Sequence, residues 1–275
     1  MHRNNDSGII RSRDNNTVRF ARALHDKKAR RSQGAALLEG IRLIEDAILS
    51  GAKFRSVLYE PSFAQRAGSS DVFEQLVRDS VPVLQVSASV FGTLSDTSTS
   101  QGIVAVVDVS WSTLGALLSH PSGLLLALDG VQDPGNVGTI IRSAAAAGAA
   151  GVIIGEGTAD PWSPKCVRAS MGGIFRTSLV EVEDWCDALS QARKSVQLLL
   201  AEADEQAPKP WELDLVKPTC LILANEGSGP SASSRDKADA RVMIPMPGGT
   251  ESLNVASAAA ILLYEATRQR ARMPV

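Results

Sequence analysis

Leu124-Leu125-Leu126-Ala127-Leu128-Asp129-Gly130-Val131-Gln132-Asp133-Pro134-Gly135-Asn136-Val137-Gly138-Thr139-Ile140-Ile141-Arg142 sets the fold class of this chain. An unbroken apolar run leads into a polar, glycine-bearing loop, and the loop opens a helix. A strand whose two faces are both covered reads this way, without polar alternation, and such strands belong to parallel sheets. The same pattern returns at Gly151–Ile154, Val196–Ala201 and Leu221–Ala224, with alanine-rich helices between, notably Gly138–Ala147 and Asn254–Arg270. An α/β domain with a parallel sheet is therefore expected over residues 123–275.

Upstream of this domain, residues 17–107 read as a smaller α/β unit. A helix is expected over Val18–Arg31, with Phe20, Ala23 and Leu24 on one side and cations on the other. A strand over Ala35–Gly40 and a helix over Ile41–Ser50, ended by Gly51, come next. Strands at Ser56–Tyr59 and Val81–Val86 flank a helix near Val72–Ser80, and Gln101–Val107 supplies the last strand. Residues 108–122, with Trp111, Gly115 and Pro121, read as a linker. Residues 1–16 read as a disordered basic arm.

Composition narrows the class. A chain of 275 residues that is 44% hydrophobic and 21% charged is globular and long enough for two modest domains. It has no breaker-free apolar run of about 18 residues, and Met1–Thr17 lacks the apolar centre of a secretion signal, so a soluble cytoplasmic protein without a membrane segment is expected. Cys166, Cys186 and Cys220 form no C-x-x-C pair, and His2, His25 and His120 lie far from them. Reduced thiols are expected, with no disulfide framework and no metal site.

The net charge of -2 conceals an asymmetry. Residues 1–31 carry nine basic side chains against three acidic ones, a local +6 that leaves -8 for the remainder. A basic segment on an acidic body suits contact with a phosphate backbone, although a solvated helix face would look the same.

Two further loops match the first. Leu221-Ile222-Leu223-Ala224-Asn225-Glu226-Gly227-Ser228-Gly229-Pro230 again follows an apolar strand. Val242-Met243-Ile244-Pro245-Met246-Pro247-Gly248-Gly249-Thr250-Glu251-Ser252-Leu253-Asn254-Val255-Ala256-Ser257 reads as strand, tight polar loop and helix N-terminus, which would hold Ser252, Asn254 and backbone amides around a small ligand. Loops at the ends of buried parallel strands converge on one crevice, where such sheets bind ligands. The glycines at 130, 135 and 138 do not fit G-x-G-x-x-G, and no G-K-[ST] follows, so dinucleotide and P-loop readings lose ground.

Together, Asp129–Arg142, Asn225–Gly229 and Ile244–Gly248 with Glu251–Val255 resemble, in order, the three signature motifs of the SpoU family of RNA ribose 2'-O-methyltransferases. That resemblance implies a trefoil-knotted parallel sheet of the SPOUT class, a homodimer, and S-adenosylmethionine held by the second and third motifs. Carried over by position, the cofactor would touch Ala224, Asn225, Gly227, Ile244, Met246, Leu253 and Asn254. The catalytic set would be Asn136, Arg142, Glu226, Ser252 and Asn254. Asn136 would bond the ribose or Arg142, Glu226 would hold Arg142 or loop amides, and Ser252 and Asn254 would fix the third loop or simply cap the helix.

The resemblance extends upstream. Ala36–Gly40 and Gln101–Ala105 stand where many members have a small ribosomal-protein-like α/β domain, which strengthens the basic segment as an RNA contact through Arg19, Arg22, Lys27, Lys28, Arg30 and Arg31. Asp160–Lys165 and Arg168–Arg176 look like the stretch after the first motif, adding Lys165 and Arg168 as RNA-facing cations. Cys166 replaces the usual aliphatic residue, and Pro230 stands where Leu or Met is common, which bears on closure of the second loop. The separate N-terminal domain favours ribosomal over transfer RNA. A factor that kept the fold and lost catalysis is the competing reading from another class.

The implied chemistry needs a ribose oxygen aligned behind a sulfonium methyl and help in removing its proton, with no metal required. A guanidinium is effectively always protonated in proteins. Arg142 is accordingly read as an electrostatic and phosphate-positioning group, not as a base.

Overall fold

The computed structural model describes residues 8–97, 100–120 and 122–271. The chain divides into two units, one of Met1–Val109 with Trp162–Arg168, the other of Ser110–Pro161 with Ala169–Val275.

The first unit runs α1 (Asn16–Ala23), α2 (Lys27–Gln33), β1 (Ala35–Glu39), α3 (Ile41–Leu49), β2 (Phe54–Tyr59), α4 (Ser69–Arg78), β3 (Val83–Gln85), α5 (Ala88–Phe91) and β4 (Ile103–Asp108). Its sheet has the order β1-β4-β2-β3, with β4 antiparallel to β1 and β2, and β3 parallel to β2. Leu37, Leu58, Val104 and Val106 meet Val18, Leu24 and Phe91 in one apolar cluster. Each fully buried leucine contributes about 1.5–3 kcal/mol through removal from water.

Three expectations need correction here. The helix expected over Val18–Arg31 is two helices: Asp26 ends the first run and its side chain accepts from Ala29 N at 3.1 Å, starting a second. Within the arm expected to be disordered, residues 8–16 are ordered. Ile10 N donates to Gln85 O at 2.8 Å, and Ser87 N donates to Ile10 O at 2.9 Å, so the arm extends the sheet edge while Ile10 packs on the core. Residues 1–7 of that arm, Arg3 among them, lie outside the described residues. Arg30 is the third case. It is 5% exposed and its Nη1 donates at 2.8 Å to the carbonyls of both Leu24 and His25, so it satisfies the C-terminal end of α1 instead of facing RNA.

The second unit runs α6 (Leu114–Leu118), β5 (Leu124–Asp129), α7 (Pro134–Ala146), β6 (Gly151–Ile154), α8 (Pro164–Ser170), β7 (Ser178–Glu181), α9 (Trp185–Ala192), β8 (Gln197–Ala201), β9 (Thr219–Ala224), α10 (Ala232–Lys237), β10 (Ala240–Val242) and α11 (Val255–Arg270). Most of α8 falls in the segment grouped with the first unit. The six strands have the order β10-β8-β9-β5-β6-β7, and every pairing is parallel. The four unbroken apolar runs are the four inner strands β5, β6, β8 and β9. The stretch read as a linker carries α6, whose Leu117 is buried in the apolar cluster with Leu125, Ile153 and Leu198. The strand expected to run on from Val242 ends there, because Pro245 and Pro247 have no N–H for a ladder.

None of the three cysteines forms a disulfide; Cys166 and Cys220 are buried and Cys186 is exposed. Among the described residues no helix is long and apolar enough to cross a membrane, and no cluster of three or more His, Cys, Asp or Glu side chains could hold a metal ion.

Candidate active site

Strands β5 and β9 are neighbours in register, with Asp129 opposite Ala224. The first two motif loops therefore leave the sheet side by side. Asp129 ties them together: its Oδ2 accepts from Ser231 N at 2.7 Å and Ser234 Oγ at 2.6 Å, and its carbonyl accepts from Asn225 N at 3.0 Å. Ser234 is buried and also accepts from Trp185 Nε1 at 2.9 Å. Asn225 shapes the second loop from within. Its Oδ1 accepts from Gly227 N at 2.8 Å and Ser228 N at 3.0 Å, while its Nδ2 donates to Gly130 O at 2.9 Å.

The first loop starts α7 with Asp133 as cap, accepting from Asn136 N at 2.9 Å, and with Pro134 in the first turn. Asn136 is then the junction of all three loops. Its Nδ2 donates to Glu226 Oε1 at 3.4 Å, and its Oδ1 accepts from Asn254 Nδ2 at 2.9 Å. Glu226 Oε1 also accepts from Val255 N at 2.7 Å, which sets a carboxylate on the positive end of the 16-residue α11. Asn254 caps that helix through Ala256 N and Ser257 N. Side chains separated by 90 and 118 positions are thus hydrogen-bonded neighbours.

Beside this junction lies a cavity of about 290 Å³. Of the residues expected around a cofactor, Ala224, Asn225, Ile244, Met246 and Leu253 line it, as do Glu226 and Ser252; Gly227 and Asn254 do not. Gly227 instead gives its N–H to the turn inside the second loop, and Asn254 is committed to the helix cap and to Asn136. Leu223, Val242 and Val255 add apolar wall. Asn254, with Glu226 on Val255 N, caps α11, so the capping role weighed for Ser252 is not the one it plays.

Arg142 sits on α7, exposed, and among the described residues its guanidinium has no hydrogen-bond or ion-pair partner. Neither Asn136 nor Glu226 holds it, which corrects one of the two partners considered for each. Its backbone is backed by Gly173: a Cβ there would lie 2.9 Å from Arg142 Cα, so only glycine lets the two segments meet so closely.

The expected RNA-facing cations lie in the first unit. Arg19, Arg22, Lys27, Lys28 and Arg31 are exposed on α1 and α2, and Lys165 is exposed on α8. Arg168 is half-buried, with Nη1 4.0 Å from Glu39 Oε2. Glu39 belongs to the Ala36–Gly40 stretch and holds a loop in place, accepting from Ser95 Oγ at 2.5 Å, Thr97 Oγ1 at 2.7 Å and Asp96 N at 3.2 Å. Burial pushes its carboxyl pKa upward, but these donors outweigh burial and hold it below the ordinary glutamate value. Gln101, from the companion stretch, accepts from Ile41 N at 2.9 Å and so caps α3.

Sequence reasoning missed Asp129 as the tie between loops, and Glu202 and Arg235 in the cavity wall. For Asp129 the signal was present, a carboxylate ending a buried strand. Glu202 is the first charged residue after the apolar run of β8, and nothing local marks its distant partner.

A model of the SpoU rRNA Methylase family matches residues 123–264, and one of the MRM3-like substrate binding domain matches residues 15–105. The chain is 33% identical, over 93% of its length and 97% of the relative's, to the 23S rRNA (guanosine(2553)-2'-O)-methyltransferase RlmP of Bacillus subtilis (strain 168). It is 33% identical, over 95% of its length and 92% of the relative's, to the 23S rRNA (uridine(2479)-2'-O)-methyltransferase of Streptomyces viridochromogenes. Among solved structures it resembles an AdoMet-bound rRNA methyltransferase from Sinorhizobium meliloti, with a TM-score of 0.81 and 32% identity over 94% of this chain and 97% of that one.

Proposed function

The chain belongs to the SpoU rRNA methylase family, and from this we infer that its second unit transfers the methyl group of S-adenosylmethionine to a ribose 2'-hydroxyl of ribosomal RNA. The observation that carries this reading is the Asn136 junction, which joins three motif loops beside one cavity at the C-terminal ends of β5 and β9. Open parallel sheets bind ligands at that edge.

The residues present fit the cofactor. Leu223, Ile244, Leu253 and Val255 offer an apolar slot for a flat base, and the polar side chains of Asn225, Glu226 and Ser252 interrupt it. When bound, S-adenosylmethionine supplies an electrophilic methyl carbon on a sulfonium. The protein's part is then orientation and proton removal. Arg142, exposed and uncommitted on the first turns of α7, holds a substrate phosphate and fixes the ribose. Glu226 has Oε1 engaged by Val255 N and Asn136 Nδ2, while Oε2 has no partner among the described residues. That oxygen is the group we assign to accept the 2'-hydroxyl proton, with Asn136 and Asn254 positioning it.

The first unit contributes the RNA grip through Arg19, Arg22, Lys27, Lys28 and Arg31, with Lys165 and Arg168 as further contacts. Whole-chain likeness to relatives named for 23S rRNA supports that RNA over transfer RNA as the substrate. A homodimer, a cytoplasmic location and the trefoil knot belong to the same proposal; Ile261 and Tyr264, 41% and 70% exposed on α11, offer an apolar face to a second copy. Light scattering at twice the chain mass tests the dimer.

The decisive experiment is mass spectrometry of nucleosides from ribosomal and transfer RNA incubated with the protein and isotopically labelled methyl donor. Label in one ribose-methylated nucleoside of 23S rRNA is expected. Label only on a base, or only in transfer RNA, refutes the assignment.

A further inference from the structure

One buried hydroxyl of the second unit has no part in the chemistry assigned above. Ser234, on α10, is fully buried. Its Oγ accepts from Trp185 Nε1 at 2.9 Å and from Ser231 Oγ at 3.3 Å, and donates to Asp129 Oδ2 at 2.6 Å. Chemistry fixes the direction of this chain. An indole N–H only donates and a carboxylate oxygen accepts, so the hydroxyl receives from Trp185 and aims its own hydrogen at Asp129. The indole has a fixed seat: a Cβ on Gly155 would lie 2.6 Å from Trp185 Cε3, so the ring rests against backbone at a distance that only glycine allows. Helix α10 is tied on a second side as well, where Arg235 donates to Glu202 Oε1 from Nε at 3.2 Å and from Nη2 at 3.0 Å.

Asp129 in turn closes the second loop at both ends. Its carbonyl accepts from Asn225 N at 3.0 Å, where the loop begins, and its carboxylate accepts from Ser231 N at 2.7 Å, where the loop ends. Between these points the loop is braced from within: Gly229 N donates to Asn225 O at 3.0 Å, and Asn225 Oδ1 holds Gly227 N and Ser228 N. A loop braced in this way shifts as one piece, and Glu226 shifts with it. The carboxylate of Glu226 is held by the other two loops, through Asn136 Nδ2 and Val255 N, whereas its backbone is held through Asp129.

We propose that Ser234 and Trp185 are positioning residues for methyl transfer, acting through Asp129 to set where Glu226 meets the ribose hydroxyl. Neither side chain lines the cavity, so their effect falls on turnover of the bound complex and not on RNA affinity. Without the Ser234 hydroxyl, Asp129 Oδ2 keeps only Ser231 N as donor and the indole N–H loses its acceptor, which frees the far end of the loop. A displacement of about 1 Å in a group that must meet a reacting atom costs up to about 10²-fold in rate.

This role rests on the assignment of Glu226 as proton acceptor, and a double-mutant cycle on the full chain separates the two. The measurement is kcat and KM for transfer of labelled methyl from S-adenosylmethionine to 23S rRNA. Ser234→Ala should lower kcat at least about tenfold and leave the KM for RNA within about twofold. In the Glu226→Gln background no proton acceptor remains to be placed, and the same change should cost less than about twofold. Trp185→Phe keeps the ring and removes the N–H; it should show the same pattern at about threefold, and it replaces Ser234→Ala if that variant melts early. Equal losses in both backgrounds, no loss in either, or a loss confined to KM overturns the proposal while Glu226 keeps its role. Full turnover by Glu226→Gln alone removes the proton acceptor and this role with it, and absence of transfer by the wild-type protein overturns the methyltransferase reading as a whole.

Discussion

At the scale of single residues, three side chains have chemistry that their surroundings isolate. Arg142 keeps its charge in Arg142→Lys but loses the planar fork that grips a phosphate from two directions. That variant should retain weak RNA binding in a filter assay and lose at least about 100-fold in methyl transfer, a typical cost for one transition-state contact; full turnover would remove Arg142 from the mechanism. Glu226→Gln keeps an oxygen for Val255 N but cannot take a proton. Its kcat should fall by about 10²–10⁴, the usual contribution of a general base, with cofactor affinity near normal. Met171 is a different case, since nothing in the proposed chemistry requires it. It sits in the left-handed region at φ +46° and is 53% exposed, between α8 and Gly172. A side chain in that conformation costs about 1 kcal/mol relative to glycine. Met171→Gly is expected to raise the thermal midpoint, and a lowered midpoint would mean that the methionine is held by contacts that outweigh the strain.

At the scale of elements, the two short stretches shared with the upstream domain turn out to be joints. Glu39 ends β1 and gathers the hydroxyls of Ser95 and Thr97 with the amide of Asp96, and Gln101 caps α3. The lowered pKa of Glu39 has a consequence for stability. The folded state releases this proton more readily than the unfolded chain, so the contribution is fully present above the ordinary carboxylate range. It is lost as pH falls from roughly 4.3, the unperturbed glutamate value, through the lowered folded value. Glu39→Gln should destabilise the first unit by about 1.5–3 kcal/mol at neutral pH, the range for hydrogen bonds to a charged group. Urea titrations at several pH values check this: the difference between wild type and variant should shrink below pH about 4, and a constant difference would mean that the ionised carboxylate is not what holds the loop. The same scale explains why a single helix over Val18–Arg31 was the wrong expectation. Amphipathic spacing continues across Leu24–Asp26, but Asp26 is a better cap than a helix interior residue, and Arg30 turns inward to close the break.

At the scale of the whole molecule, RNA affinity should depend on the exposed cations of α1 and α2. Each phosphate neutralised contributes about 0.9 to the slope of log K against log salt on a duplex and about 0.7 on a single strand. Replacing Lys27 and Lys28 by Gln should lower that slope by roughly 1.4–1.8 if both meet phosphates, with cofactor binding unchanged; an unaltered slope would place the RNA elsewhere. Much of this architecture was legible beforehand because it rests on local signals. Four unbroken apolar runs announce buried parallel strands, and loops such as Asp129–Arg142 and Asn225–Gly229 carry residue types that only a specific backbone path and chemistry require. The edge strand β7, the extent of β10, the helix α6 and the inward turn of Arg30 were not legible, since short or mixed-polarity segments are decided by what they pack against. Spacing along the chain was therefore enough to establish the α/β class, the order of the motif loops and the family resemblance. It took the folded molecule to establish that Asn136, Glu226 and Asn254 share hydrogen bonds, that Gly227 stays within its own loop, and that Glu202 pairs with Arg235. Those partnerships depend on strand order and register, which bring distant positions within about 3 to 4 Å, the reach of a hydrogen bond or ion pair.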